Sequence, residues 1–167
     1  SFAKSQGLEI NAVLSGSGVA GQADVLAGQG ASTVYLADDE SLEIYNTEQY
    51  TSLVTDALQQ SGATQVWLSS SELGRDLSPR LAARHGVGAL SDVTQLEVNA
   101  DQITAQRPCM STKVMQKCQF SKDGLRVISI RSGFFAAEET SPAPANTVSL
   151  SIPAGHPKLK VKEVQVE

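Results

Sequence analysis

The sequence predicts an α/β fold: a three-layer α/β/α sandwich, mostly parallel in its first half and extended by antiparallel strands in its second. Three observations predict it. Short, nearly continuous apolar runs recur at Ile10–Leu14, Val34–Ala37 and Val66–Leu68, as expected of parallel strands buried on both faces. Helical stretches separate them, the alternation of a parallel sheet with helices on its faces. After Asp92 the helical signal fades, and short strand-like runs follow one another across turns.

In chain order, Ser1 to Gln6 reads as the last turns of a helix that Gly7 stops. A compact domain seldom begins on the tail of a helix. A strand and most of a helix are therefore expected ahead of Ser1, and with them an N-terminally incomplete fold. After the first apolar run come Gly16, Gly18 and Gly21 and a short helix, Val19 to Gln29. The clearest helix is Asn46 to Ser61. Asn46 is placed to cap it and Gln49 to complete a capping box. Tyr50, Leu53, Val54, Ala57 and Leu58 form its apolar stripe, and Gly62 ends it.

From Val66 a buried strand delivers a polar turn and then a helix beginning either at Leu73 or at Ser78. Ser78 and Pro79 suit a cap and first-turn proline, whereas an earlier start would leave Pro79 to kink the helix. Leu73, Leu77 and Leu81 share a stripe, with Arg80 and Arg84 beside it and Asp76 four residues before Arg80. Leu96–Val98, Ile103–Ala105, Val114–Phe120 and Leu125–Ile130 then read as an antiparallel extension, turning at Asn99–Gln102 and Lys122–Gly124. Glu139 to Asn146 is a Pro-, Ser- and Ala-rich linker. Val148, Leu150 and Ile152 resume period-two alternation. A second alternating run, Leu159 to Val166, slips by one residue near Lys162 and Glu163, as at a bulge. The expected division is residues 1–139 as the α/β domain and 140–167 as linker and terminal strands.

Composition narrows the function classes. The chain has 167 residues, 41% hydrophobic and 19% charged, with a net charge of -5. That balance is wrong for nucleic acid, whose partners cluster Lys and Arg to displace counterions. The one basic cluster, Lys158, Lys160 and Lys162, alternates with apolar residues like the wet face of a strand. No apolar run approaches the ~18–20 residues of a membrane span. Cys109 and Cys118 form neither a disulfide framework nor a metal pattern, and His85 and His156 have no companion at ligand spacing. No metal site is expected. Reduced cysteines fit a cytoplasmic or matrix compartment.

Two stretches are candidates for function. Gly16, Gly18 and Gly21 spell G-x-G-x-x-G after a strand, and Asp38 stands near the distance of a ribose-binding acid. The weighed alternatives are a tight structural turn and a stand-alone adenine-nucleotide-binding module, with the turn preferred. The second stretch is Gly74, Arg75, Asp76, Arg80 and Arg84, an arginine-rich helix bordering the core. There the alternatives are an internal salt-bridge lattice and a subunit or domain interface. Trp67 reads as core. Ser69 to Ser71 lack the G-x-S-x-G elbow, Asp92 has no paired acid near it in sequence, and no catalytic constellation is visible.

The stretch LGRDLSPRLAARHGVGALSDVTQLE resembles the signature of the electron transfer flavoprotein alpha family. So do the turn at Leu14 to Gly18, V-x-L-A-D-D at Val34 to Asp39, Arg107-Pro108, and R-x-G-x-F-x-A-A-E at Arg131 to Glu138. The chain departs from the family pattern at Met110 to Val114, MSTKV, where Y-A-G-N-A or Y-A-G-K-A is usual. It also lacks the G-Q-T-G-K and S-G-A-I-Q-H stretches of the family's flavin-binding second domain. The resemblance implies an N-terminal scaffold domain of an alpha subunit that assembles with a beta subunit. It implies FAD in the full-length protein, none in this portion, and AMP in the partner beta subunit. The full complex would carry electrons from flavin-dependent dehydrogenases to a quinone oxidoreductase or other acceptor, in a bacterial cytoplasm or a mitochondrial matrix. On the same resemblance the glycine turn is structural, and the chain is a carrier fragment, not an enzyme.

Overall fold

The computed structural model describes residues 2–99, 102–121, 124–135 and 140–155. They form two compact units, residues 3–61 with 140–155 and residues 62–135. The fold class is α/β, with parallel and antiparallel sheets. The expected slip near Lys162 and Glu163, the lysine face at Lys158 to Lys162, and His156 lie outside the described residues, as do most of the two predicted turns at 99–102 and 122–124.

The first unit opens with α1 (Phe2–Ser5), which stops where Gly7 adopts a φ of 70°. The Leu8 N–H donates to the Ala3 carbonyl at 3.2 Å, the six-to-one bond of a Schellman stop. Strands β1 (Asn11–Gly16) and β2 (Thr33–Asp38) pair in parallel, and β9 (Thr147–Ser149) pairs in parallel with the other edge of β2. The expected helix Val19–Gln29 is divided into a 3-10 turn at Ala20–Gln22 and α2 (Ala23–Gly28), neither with a side-chain cap. Gly18, Gly21, Gly28 and Gly30 crowd this stretch, and each glycine inside a helix costs about 1 kcal/mol relative to alanine.

Helix α3 (Thr47–Ser61) is capped as the sequence predicts, with Asn46 Oδ1 accepting the N–H groups of Glu48 and Gln49 at 3.1 and 3.4 Å. The reciprocal half of the capping box is a correction. Gln49 is buried, and its amide donates to the Pro153 carbonyl at 3.2 Å instead of reaching back. Leu53 and Ala57 join Tyr35, Ala37, Leu42 and Leu150 in the core, with Tyr50, Val148 and Ile152 packed against it. The alternation at Val148, Leu150 and Ile152 thus delivers all three to one core. Residues 140–146, read as linker by composition, are bonded onto α2. Asp24 takes the Ala143 N–H on its carbonyl and the Ala145 N–H on its carboxylate, both at 3.0 Å. The expectation that β1 is buried on both faces fails at Val13, which is 38% exposed on a strand that pairs with β2 alone among the described strands.

The second unit contains β3 (Gln65–Ser69), α4 (Glu72–Arg84), β4 (Ala89–Val93), β5 (Gln95–Asn99), β6 (Gln102–Cys109), β7 (Val114–Gln119) and β8 (Arg126–Ile130). Strands β5, β6 and β7 form an antiparallel meander. Strand β8 does not extend it. It returns to lie between β3 and β4, parallel to both. The physical reason is in the run itself: Val127, Ile128 and Ser129 are each 0% exposed, so this strand requires neighbours on both edges and cover on both faces. Strand β4, ALSDV, was not anticipated, because its alternation of apolar and polar residues is too short to register as a strand. Val93, Leu96, Ile103, Ala105 and Ile128 form the unit's core, and Trp67 packs against it.

Helix α4 takes the earlier of its two possible starts. Ser71 is the N-cap, its Oγ accepting the Gly74 N–H at 3.4 Å, and Pro79 sits inside the helix rather than in its first turn. The buried stripe is Gly74, Leu77, Ser78, Leu81 and Ala82, whereas Leu73 is 39% exposed. The 3.6-residue period is as expected, rotated by one residue, because Gly74 rather than Leu73 faces the strand. A methyl group built on Gly74 would overlap the Ser69 carbonyl oxygen at the end of β3, whereas one built on Gly21 meets no atom within 4 Å. Gly74→Ala is therefore expected to lower the urea unfolding midpoint with a loss of about 1–3 kcal/mol, the cost of overpacking. Gly21→Ala should leave it within about 1 kcal/mol or raise it. Equal effects at the two sites would remove the steric account of α4.

Candidate functional site

The glycine loop is built from its own strand outward. β1 and β2 run side by side, with Gly16 opposite Asp38. Gly18 then adopts a φ of 67°, a conformation that favours glycine. That turn aims backbone N–H groups at Asp38: the Gly18 N–H donates to Oδ1 at 2.6 Å and the Ala20 N–H to Oδ2 at 2.9 Å. These are the groups that a dinucleotide loop offers to pyrophosphate. Here both are taken by a carboxylate of the same chain, whose charge also opposes a phosphate. The residues of this loop do not fit the pyrophosphate of FAD or of another dinucleotide. Gly21, third in the motif, lies in the 3-10 turn facing open space. Asp39 caps the next turn, accepting the Ser41 N–H at 2.9 Å, and the Ser41 hydrogen bonds hold its carboxyl below the usual carboxylate value. The structure thus brings Gly16, Gly18 and Asp38 together as a closed turn.

The arginine helix is more open than the sequence implied. Arg75, Arg80 and Arg84 are all exposed. Arg80 Nε bonds Asp76 Oδ1 at 3.4 Å, with the two side chains 48% and 42% exposed. A pair this wet contributes at most about 0.5 kcal/mol. The expectation that Arg80 and Arg84 border the core is corrected by the same one-residue rotation of the stripe. Gly74 alone among these five residues is buried in the helix–strand contact.

A second cluster, which sequence reasoning missed, forms at the carboxyl ends of β3, β8 and β4. The register of β4 against β8 shifts between Leu90 and Val93, and Asp92 within that bulge adopts a φ of 62°. A bulge re-aims a side chain. The Asp92 N–H is held by Ser129 Oγ at 3.2 Å, and Ser129 is itself bonded by the Ser70 hydroxyl at 3.0 Å. The Asp92 carboxylate meets Arg131, one residue past the end of β8, in a two-pronged ion pair: Nε donates to Oδ1 at 2.8 Å and Nη2 to Oδ2. Arg131 holds the Asp92 carboxyl below the usual range against the opposing effect of burial, and the charges of Arg75 and Arg107 act in the same direction.

Topology explains why four distant residues converge. Arg75 follows Gly74, which packs on the last residue of β3. Ser69 and Val93 both pair with Ile130, and Arg131 comes next. Gln106 accepts the Thr94 N–H at 2.9 Å, which places Arg107 beside the end of β4. Arg107 Nε is buried without a hydrogen-bond partner among the described residues, a state that costs on the order of 1–3 kcal/mol. Asp92 was passed over because its partner is a cation 39 residues away, not a neighbouring acid. A usable signal was present: Arg75, Asp92, Arg107 and Arg131 each fall inside a segment that carries the family resemblance. At the β6–β7 turn, Met110, Ser111 and Thr112 have φ values of 50°, 53° and 67°, and Met110 is 76% exposed. Three successive non-glycine residues in this region store strain of about 1–3 kcal/mol each, where the family pattern supplies a glycine.

No helix among the described residues is long and apolar enough to cross a membrane, and no group of three metal-ligating side chains occurs among them. The family model for the electron transfer flavoprotein domain matches residues 1–153. The chain is 28% identical over 162 residues to "Protein FixB" of Clostridium saccharobutylicum, covering 96% of this chain and 48% of that protein. It is 31% identical over 144 residues to the electron transfer flavoprotein subunit alpha of Megasphaera elsdenii, covering 85% and 43%. It is also 29% identical over 140 residues to the subunit of the same name from Bacillus subtilis, covering 84% and 43%. The chain spans about half the length of the curated relatives it matches.

Asp92→Asn removes the acceptor charge and leaves Arg131 facing a neutral amide. At pH 7 the variant should be less stable by about 1–3 kcal/mol, the scale of a hydrogen bond to a charged group. The native carboxyl titrates below its usual value. Its contribution is therefore complete above about pH 4 and is lost as the pH falls through the lowered value. Urea titrations of both proteins from pH 7 to pH 2 should show the gap closing below pH 4. A gap that stays constant would mean that the ion pair is not its source.

Proposed function

Since the chain belongs to the electron transfer flavoprotein domain family, we propose that it is the amino-terminal scaffold domain of an alpha-type subunit. In the complete protein this domain pairs with a beta subunit. Electrons pass through FAD held by a second domain, from flavin-dependent dehydrogenases to a downstream acceptor. The chain is a carrier component rather than a catalyst. AMP, where the assembly holds it, belongs to the beta subunit. Residues 1–139 are proposed as the scaffold and 140–167, of which 140–155 pack within the first unit, as the path toward the flavin domain, in a bacterial cytoplasm or a mitochondrial matrix.

The observation that carries this reading is Asp38. The glycine loop is the one place where this chain resembles a dinucleotide site, and its N–H groups at Gly18 and Ala20 are bonded to Asp38 at 2.6 and 2.9 Å. A phosphate arriving there would have to displace an internal carboxylate. The cofactor accordingly belongs to the part of such proteins that lies beyond this match. The exposed arginines of α4 suit the interface role. Arg75, Arg80 and Arg84 present guanidinium groups along one helix, and their planar forks bind carboxylates in pairs.

Two measurements test the proposal. Calorimetric titration of the 167-residue chain with FAD and with AMP should give no saturable heat, and the purified chain should be colourless. Stoichiometric binding of either would put a cofactor site in this domain. Arg80→Ala should change the stability of the isolated chain by less than about 0.5 kcal/mol, as expected of an exposed pair. In the full-length heterodimer the same substitution should weaken assembly by about 1–3 kcal/mol, with flavin reduction unchanged. Normal assembly with altered flavin affinity would place α4 in the cofactor site instead.

A further inference from the structure

The Asp92 cluster carries more positive charge than its own carboxylate balances. Three guanidinium groups, Arg75, Arg107 and Arg131, act on one acid in a chain of net charge -5. Their uses differ. Arg131 is committed to Asp92 through both carboxylate oxygens. Arg107 keeps a buried Nε donor with no hydrogen-bond partner among the described residues. Arg75 stands exposed in the first turn of α4, next to the glycine that fixes that turn on β3. The frame around them is rigid, since Ser129 is 0% exposed and its hydroxyl bonds both Ser70 and the bulged Asp92 N–H.

From this geometry we infer that Arg75 and Arg107, held beside the Asp92–Arg131 ion pair, form a docking site for a single carboxylate side chain of a partner polypeptide. The inference rests on the preceding proposal that this domain assembles with another subunit, and it names the chemistry of one contact. Donor supply favours a carboxylate over a free phosphate. A phosphate dianion calls for several converging donors, usually including backbone N–H groups. Two of the nearby ones are occupied: Gly74's is held by Ser71 Oγ and Asp92's by Ser129 Oγ. Arg75 and Arg107 present a pair of guanidinium forks, the complement of a monoanionic, planar acceptor. Asp92 itself repels a dianion more strongly than a monoanion. A glutamate or aspartate brought in by a neighbouring protein surface meets these terms.

The test uses the full 167-residue chain labelled with 15N, observing arginine Nε–Hε signals at constant ionic strength. The probes are N-acetyl-glutamate methylamide, the corresponding blocked glutamine, and inorganic phosphate. Saturable shifts at Arg75 and Arg107 with blocked glutamate, and none with blocked glutamine, are expected. Arg75→Gln should weaken that binding at least fivefold with the backbone spectrum unchanged. Arg126→Gln, which removes a charge at the opposite end of β8, should not. Lack of saturation with glutamate overturns the inference. So does tighter saturation of the same signals by phosphate, or an equal loss in Arg126→Gln, which would mark diffuse charge rather than a site. The probes contain neither flavin nor a partner subunit, so a negative result leaves the flavoprotein assignment standing on its own titrations.

Discussion

The position of β8 is the constraint on which the second unit depends. A strand inserted between two parallel neighbours must satisfy its backbone on both edges. It must also bury both faces, which Val127, Ile128 and Ser129 do completely. Because β3, β8 and β4 run the same way, their carboxyl ends finish together. Everything polar in the cluster follows from that alignment. Arg131 emerges from the middle strand, Ser70 from one neighbour and Asp92 from the bulge of the other. The antiparallel excursion through β5, β6 and β7 then has a structural reading. It carries the chain away from β4 and back to the gap, bringing Arg107 to the same end on the way.

The two units solve one electrostatic problem in different ways. In each, an aspartate stands where a parallel strand ends, the region in which open α/β sheets place their ligands. In the first, Asp38 is neutralised by backbone N–H groups at Gly18 and Ala20. This uses partial charges that are fixed by the loop. In the second, Asp92 is neutralised by a guanidinium, with two more nearby. These are full charges on side chains rather than partial charges on the backbone. The same residue type near two strand ends is therefore held by loop N–H groups in one unit and by a side-chain cation in the other.

What was legible in the sequence was local. The α3 stripe, its Asn46 cap and the stop at Gly7 are set by residues a few positions apart, and short-range spacing reports them faithfully. The period of α4 was equally legible, but its phase was not. Leu73 is more apolar than Gly74, yet only a glycine fits against the Ser69 carbonyl, so tertiary crowding outranks hydrophobicity there. That one-residue rotation moved Arg80 and Arg84 from the border of the core to solvent. Strand β8 had the right content and the wrong partner, because an apolar run of five residues does not state which strands will flank it. The Asp92 cluster lay furthest from sequence reasoning. Its members are joined by sheet order, and sheet order is decided by pairings tens of residues apart.

The return of the chain to β2 has a consequence for biosynthesis. The core of the first unit is closed by Val148, Leu150 and Ile152, and β9 supplies the second edge of β2. Those residues leave the ribosome only after the whole of the second unit. At elongation rates of ~5–20 residues per second, the wait is on the order of 10 s. During it β2 has an unpaired edge, and α2 lacks the segment that Asp24 later holds. The second unit is continuous in sequence and meets no such delay. Folding during synthesis therefore runs against the order of these segments, with the second unit maturing first and the strands of the first unit waiting for residues 147–152.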